Sequence, residues 1–386
     1  MMPRIRKLLL TAAAAIFIAM MLSGCWDIVD PQDINYFMAV GFDYVDDQFI
    51  IYAQMIDFAA VTTPESDKPT QHQPVLVGKG KGETAAQAFN DLYDSVQRRV
   101  IYGHVGAVIL SENIMKHGLL QDIFDLLSRY QELRYTPWVY GSKGDIEKVL
   151  SVSPFFNLSP LASILHQPME IYRQKSIVPP TMMRQILTDI REPGRTAILP
   201  AIDLNDTDWK EDLGPKEMLY LTGIFTFDAY RYTGYFSLDE IQGLRFVAKE
   251  IERTPLVIKH EGKIYSEISL NKPKAKITPL LEDVRVRFQM QVTMTGNVIE
   301  VIEPINEREM EKLASEQIRK EIISTYERAL EKNVDIYQLE HLVYLKHNKW
   351  WQQHLKGGKL RLDKDSLEVD VKIDILSSGK LKLITE

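Results

Sequence analysis

Thiols are all but missing from this chain: 386 residues contain a single cysteine, Cys25. No disulfide can staple the fold, and Cys/His catalysis and cysteine-rich zinc sites lack their ligands. Net positive charge is also missing. The side chains sum to −7 with histidine neutral, which argues against nucleic acid, whose phosphates call for a basic face. Catalytic signatures are scarce as well. The chain contains no Gly-x-Ser-x-Gly elbow and no His-Glu-x-x-His pair, so the reading is non-enzymatic. Finally, no apolar run after Cys25 approaches the ~20 residues of a membrane-spanning helix. Residues beyond it therefore read as a soluble body outside the membrane.

What is present begins at the N-terminus. Arg4, Arg6 and Lys7 form a basic n-region, and Leu8 to Leu22 is apolar apart from Thr11. Such a short run with a basic start and small residues at its end is the pattern of a cleaved export signal. Leu22-Ser23-Gly24-Cys25 matches a bacterial lipobox, in which the Cys25 thiol takes S-diacylglycerol and the freed amine an N-acyl chain such as palmitate. The plainer alternative is a retained signal anchor with a buried cysteine. Removing residues 1–24 takes three positive charges and no acid from the net −7, leaving −10. Anionic lipid would repel such a body, so attachment would depend on the acyl chains.

Periodicity predicts a mixed α/β (α+β) fold of two to three domains, each a mixed sheet with packed helices. We expect a leader over 25–35, an N-terminal α/β domain over 36–150, and a proline-punctuated helical connection over 151–202. A polar, acidic linker over 203–217 and a C-terminal α/β domain over 218–386 complete the chain. In the first domain Asp46-Asp47 reads as a turn between strands 36–42 and 49–58, and Thr84-x-x-Gln87 as a capping box. The second contains a helix over 306–332 capped by Asn306, then alternating strands over 367–375 and 380–384.

Weaker chemical signals have plainer explanations. Gly78-Lys79-Gly80-Lys81-Gly82 suggests phosphate binding but lacks Gly-Lys-Ser/Thr, so we read it as a glycine-rich turn into the next helix. His341, His347 and His354 are spaced too widely for a compact metal set. Trp350-Trp351 reads as packing beneath the C-terminal sheet. No catalytic, cofactor or metal residue is nominated.

The ordered series of fragments resembles the Ger(x)C (GerC) family, the C-subunit lipoproteins of spore germinant receptors. The series starts at Leu22-Ser-Gly-Cys25-Trp26-Asp27 and continues through Ala39-Val-Gly-Phe-Asp43, Gly78-Lys-Gly80, Arg98-Arg99 and Tyr102-Gly-His104. Pro193-Gly-Arg195, Gly223-Ile-Phe-Thr-Phe227, Asp335-Ile336 and Trp350 extend it to the C-terminal half. The resemblance implies a non-enzymatic subunit on the outer face of the spore inner membrane, assembled with membrane A and B subunits that respond to small nutrients. The other reading kept open is a solute-binding envelope lipoprotein, which would need a polar cleft between the halves near residues 200–217.

Overall fold

The computed structural model describes residues 2–21, 34–56, 75–130, 132–248, 251–282, 285–355 and 358–377. Cys25 with Leu22, Ser23 and Gly24, and the strand expected over 380–384, lie outside the described residues.

Helix α1 (Met2–Met21) precedes strands β1 (Ile34–Val45), β2 (Gln48–Ile56) and β3 (Val75–Gly82). Asp46 and Asp47 close the β1–β2 hairpin with φ of 51° and 58°, the left-handed pair that a two-residue hairpin turn needs and that aspartate tolerates. Helix α2 (Ala85–Tyr93) starts at Thr84, whose Oγ1 accepts from the Gln87 N–H at 3.1 Å. The reciprocal bond of the capping box comes from one residue earlier, the Glu83 N–H donating to Gln87 Oε1. There follow β4 (Arg99–Ile101), β5 (Ala107–Ser111), α3 (Glu112–Lys116), α4 (Leu120–Arg129), β6 (Trp138–Ser142) and α5 (Ile146–Ser151). The proline-rich stretch holds two 3-10 turns, then α6 (Pro168–Gln174) and α7 (Met183–Arg191), before β7 (Thr196–Asn205).

Segment 203–217 is not an open connection. It folds into a small ribbon of β8 (Lys210–Glu211) and β9 (Gly214–Pro215) between two long paired strands. Beyond it, β10 (Met218–Asp228) runs antiparallel to β7 from Met218↔Asn205 to Asp228↔Thr196, and β11 (Arg231–Ser237) pairs with β10. The result is a nine-stranded sheet in the order β11-β10-β7-β6-β5-β1-β2-β3, with β4 beside β1. Its centre, β1-β5-β6-β7, is parallel. Helices α2, α3, α4 and α7 bury one face around Phe42, Phe89, Leu110 and Phe225. Helix α5 covers the other, with Ile146 and Leu150 against Ile109 and Tyr140.

The second sheet, β12-β13-β14-β15, follows the short helix α8 (Leu244–Val247). Its strands are β12 (Arg253–His260), β13 (Lys263–Leu281) and β14 (Val286–Val301). Strand β13 continues through Lys272-Pro273 by a register shift between Asn271 and Lys274. Such an irregularity is where a strand can accept a proline. Helix α9 (Glu307–Glu331) lies on this sheet, capped as expected by Asn306 Oδ1, which accepts from the Glu309 N–H at 2.9 Å. Its stripe of Met310, Leu313, Ala314, Ile318, Ile322, Tyr326 and Ala329 is buried. Helices α10 (Leu339–Lys346) and α11 (Asn348–Leu355) lead into β15 (Leu367–Ser377), which pairs parallel to β14. The halves are continuous through β10–β11: Phe225 and Phe227 face the first core while Ile224 and Phe236 pack into the second.

Candidate functional site

The first sheet and the α9–α11 region meet around a cavity of about 520 Å³, lined by Arg195, Asp228, Asp335, Glu340, Trp351 and Lys359 among others. Segments more than 100 residues apart converge here because the turn after α7 seats against the start of α10. Gly194 makes that possible twice over. Its φ is +66°, and a Cβ on it would lie 2.8 Å from Glu340 Cγ, so conformation and space both require glycine. The His341 ring fastens the same turn, its Nδ1 lying 3.0 Å from the Pro193 carbonyl oxygen.

The acids of the site act as fasteners. Buried Glu340 accepts from the Trp351 indole N–H at 3.3 Å and from the Leu360 N–H at 2.9 Å, joining α10 to α11 and to the loop that precedes β15. Asp335 Oδ2 accepts from the Glu340 N–H at 2.8 Å, which supplies a partner for the first turn of α10. The N-cap residue there, Gln338, is left-handed and offers no side-chain cap. Asp335 Oδ1 is shielded from solvent and has no hydrogen-bond partner among the described residues, although part of the residue reaches the surface. Desolvation pushes the Asp335 carboxyl up to about 6, against the pull of the backbone N–H groups of Glu340 and Leu339. Burial works to raise the Asp228 carboxyl too. There, hydrogen bonds from Lys359 and Arg231 outweigh it and hold the group below the usual carboxylate range. Among the described residues the lining contains no serine, cysteine or histidine. This arrangement clamps two parts of the chain and can enclose a solute-sized volume.

Other residues singled out from the sequence are placed elsewhere. Gly78 to Gly82 lie in β3, not in a turn. A Cβ at Gly80 would come within 2.1 Å of the Ala88 carbonyl oxygen, so the glycines let α2 rest directly on the strand. His341 belongs to the clamp, whereas His354 stacks on Trp350 with centroids 4.4 Å apart. Trp350 and Trp351 pack against the C-terminal core from its edge. Among the described residues no group of three or more His, Cys, Asp or Glu forms a metal-holding cluster. The polar cleft sought near 200–217 is replaced by the ribbon, and the cavity sits at 193–196, 227–228 and 330–362 instead. Sequence reasoning missed Gly194, Glu340 and Lys359 as partners. The signal within reach was the glycine of Pro193-Gly194-Arg195, which marked a turn but not what it would touch.

Two family models span the chain. Residues 27–204 match the "Spore germination protein N-terminal domain", and residues 222–379 match "Spore germination B3/ GerAC like, C-terminal". Spore germination protein KC of Bacillus subtilis (strain 168) is 23% identical over 90% of each chain, and spore germination protein B3 of the same organism is 21% identical over 93% of this chain and 94% of its own. The crystal structure of the GerBC protein superposes with a TM-score of 0.51 at 16% identity, covering 88% of this chain and 97% of that one. At that identity the likeness shows the fold, a mixed α+β arrangement of several sheets with packed helices. The chain belongs to the Ger(x)C family of spore germination proteins. Among the described residues no helix is long and apolar enough to cross a membrane.

Proposed function

We propose that this protein is a non-enzymatic C subunit of a spore germinant receptor, held at the outer face of the spore inner membrane by lipid on Cys25 and assembled with membrane A and B subunits. The observation that carries this reading is the pair of family matches, which run in order over residues 27–204 and 222–379. Lipid on Cys25 gives the assembly a physical basis. Confinement to the membrane surface raises the effective concentration of the body beside its partners without any new contact. Each buried methylene contributes about 0.8 kcal/mol, so two or more acyl chains hold where one would be marginal. Catalysis has no part in this mechanism; the subunit acts by position. The test is Cys25→Ala: the body folds, leaves the membrane fraction, and nutrient-triggered germination falls. An unlipidated variant that stays membrane-bound and germinates normally would overturn the reading.

One observation favours a second reading, a solute-binding envelope lipoprotein that captures a nutrient: the cavity of about 520 Å³ is within the size range of small-molecule sites. Isothermal titration of candidate nutrients into the purified chain without A or B separates the two. Tight binding supports the second reading.

A further inference from the structure

Two neighbouring loops carry the most exposed large apolar side chains among the described residues, Leu213 at 96% and Phe156 at 89%. Phe155 and Trp209 join these loops, their rings meeting edge-on with centroids 4.8 Å apart. Leu158 and Trp209 are themselves more than half exposed. Single exposed apolar residues are ordinary on any surface, but a cluster of them is what interaction sites show.

The backbone supports the same interpretation. Phe156 and Leu213 both adopt left-handed φ, 56° and 73°, a region costly for residues with a bulky side chain. The strain brings no burial, since both side chains point to solvent. Nor is the ribbon loose. Asn205 Oδ1 accepts from the N–H groups of Thr207 and Asp208 at 2.8 and 3.2 Å, and the Lys216 N–H donates to the Trp209 carbonyl at 2.9 Å. Apolar anchors are therefore presented already ordered, which lowers the entropy lost on binding.

Charge narrows what can cover them. Segment 203–217 carries six acids against two lysines, and Lys216 is tied to Glu211 at 2.9 Å. Two copies meeting face to face would oppose like charges. An anionic bilayer would repel the ribbon. We propose that this tip docks into a partner protein whose apolar pocket is rimmed by lysine and arginine, with Phe156, Trp209 and Leu213 as anchors. The proposal supplies a contact face for the receptor assembly above, and rests on that reading only for where the partner is sought.

The test places a photo-reactive benzoylphenylalanine at Phe156 or Leu213 of the full chain in spore membranes. A control position is Leu76, 60% exposed on β3 at the opposite edge of the sheet. The expected result is a protein adduct at the tip, at least about tenfold above Leu76, mapped by mass spectrometry to an apolar segment flanked by Lys or Arg. Asp206→Asn with Asp212→Asn, both exposed, should weaken the adduct and remove its salt sensitivity. Adducts to lipid or to a second copy, or a yield no better than Leu76, would overturn the proposal. If A and B subunits still co-purify while the tip stays at background, this inference fails and the proposed function stands.

Discussion

Strands β5 and β14 lie in the middle of different sheets, and water reaches them differently. All five residues of β5 are buried, because α5 covers one face of the first sheet while α2, α3, α4 and α7 cover the other. Along β14 burial alternates strictly from Val286 to Met294, because α9 covers a single face and the other is wet. Parallel strands between two helical layers have no wet face, whereas a strand with one wet face alternates. Buried charge also differs between the halves. In the first, His166 lies beside Gln54, its Nε2 3.1 Å from Gln54 Oε1, while Gln54 Nε2 donates to the Leu150 carbonyl at 2.6 Å. Burial pushes that imidazole down to about 4. In the second half, the incompletely bonded Asp335 is pushed the other way.

The sharpest way to break this comparison is truncation. Ile109→Ala and Leu110→Ala, adjacent in β5 but facing opposite cores, should each cost about 2–5 kcal/mol, read from urea unfolding midpoints. In β14 the same exercise should split. Val292→Ala should be clearly destabilising, whereas Gln291→Ala should stay within about 0.5 kcal/mol. Equal costs at Gln291 and Val292 would mean that the second sheet is covered on both faces.

Titration gives an effect of similar or smaller size with opposite signs in the two halves. His166 has a folded pKa below its unfolded value, so its contribution is complete above about 6.5 and is lost as pH falls towards 4. Asp335 has a folded pKa above its unfolded value, so its contribution is complete below about 3.8 and is lost as pH rises through about 6. Each amounts to roughly 3 kcal/mol. Thermal melts from pH 4 to 7 should show His166→Gln with less acid sensitivity than the native chain. Asp335→Asn should gain relative to it as pH rises. Parallel pH profiles for both variants would remove this contrast.

A further contrast concerns glycine. Gly80→Ala should cost about 1–3 kcal/mol by forcing α2 off β3. Gly296→Ala in β14, whose added Cβ would meet Leu270 at an ordinary 3.5 Å, should cost well under half of that by the same melts.

These contrasts show which elements could be read in advance. The β1–β2 turn was legible because two aspartates between alternating runs carry their own conformational preference. Helix α9 was legible because Asn306 and the stripe from Met310 to Ala329 are spaced within one element. Glycines 78 to 82 suggest a turn locally, but their reason is Ala88 and Leu92 across the helix, and a glycine does not say what approaches it. From sequence the ribbon at 203–217 looks like a linker, because acids and a Gly-Pro pair are equally at home in either. Nothing local marked the clamp, since Gly194 and Glu340 are 146 residues apart.

By itself, then, the sequence determined the local matters: the N-terminal apolar run from Leu8 to Leu22, the hairpin turn, the helix caps, and the alternation that divides wet from dry faces. Each depends on residues within a few positions of one another, where backbone preference and side-chain spacing act directly. Tertiary structure alone decided that β10 and β11 extend the first sheet while packing into the second core. It also brought Pro193 and Gly194 against His341 and Glu340, and left Phe156 and Leu213 facing water. Those outcomes depend on which distant surfaces exclude water from each other, a property of the packed chain and of no segment within it.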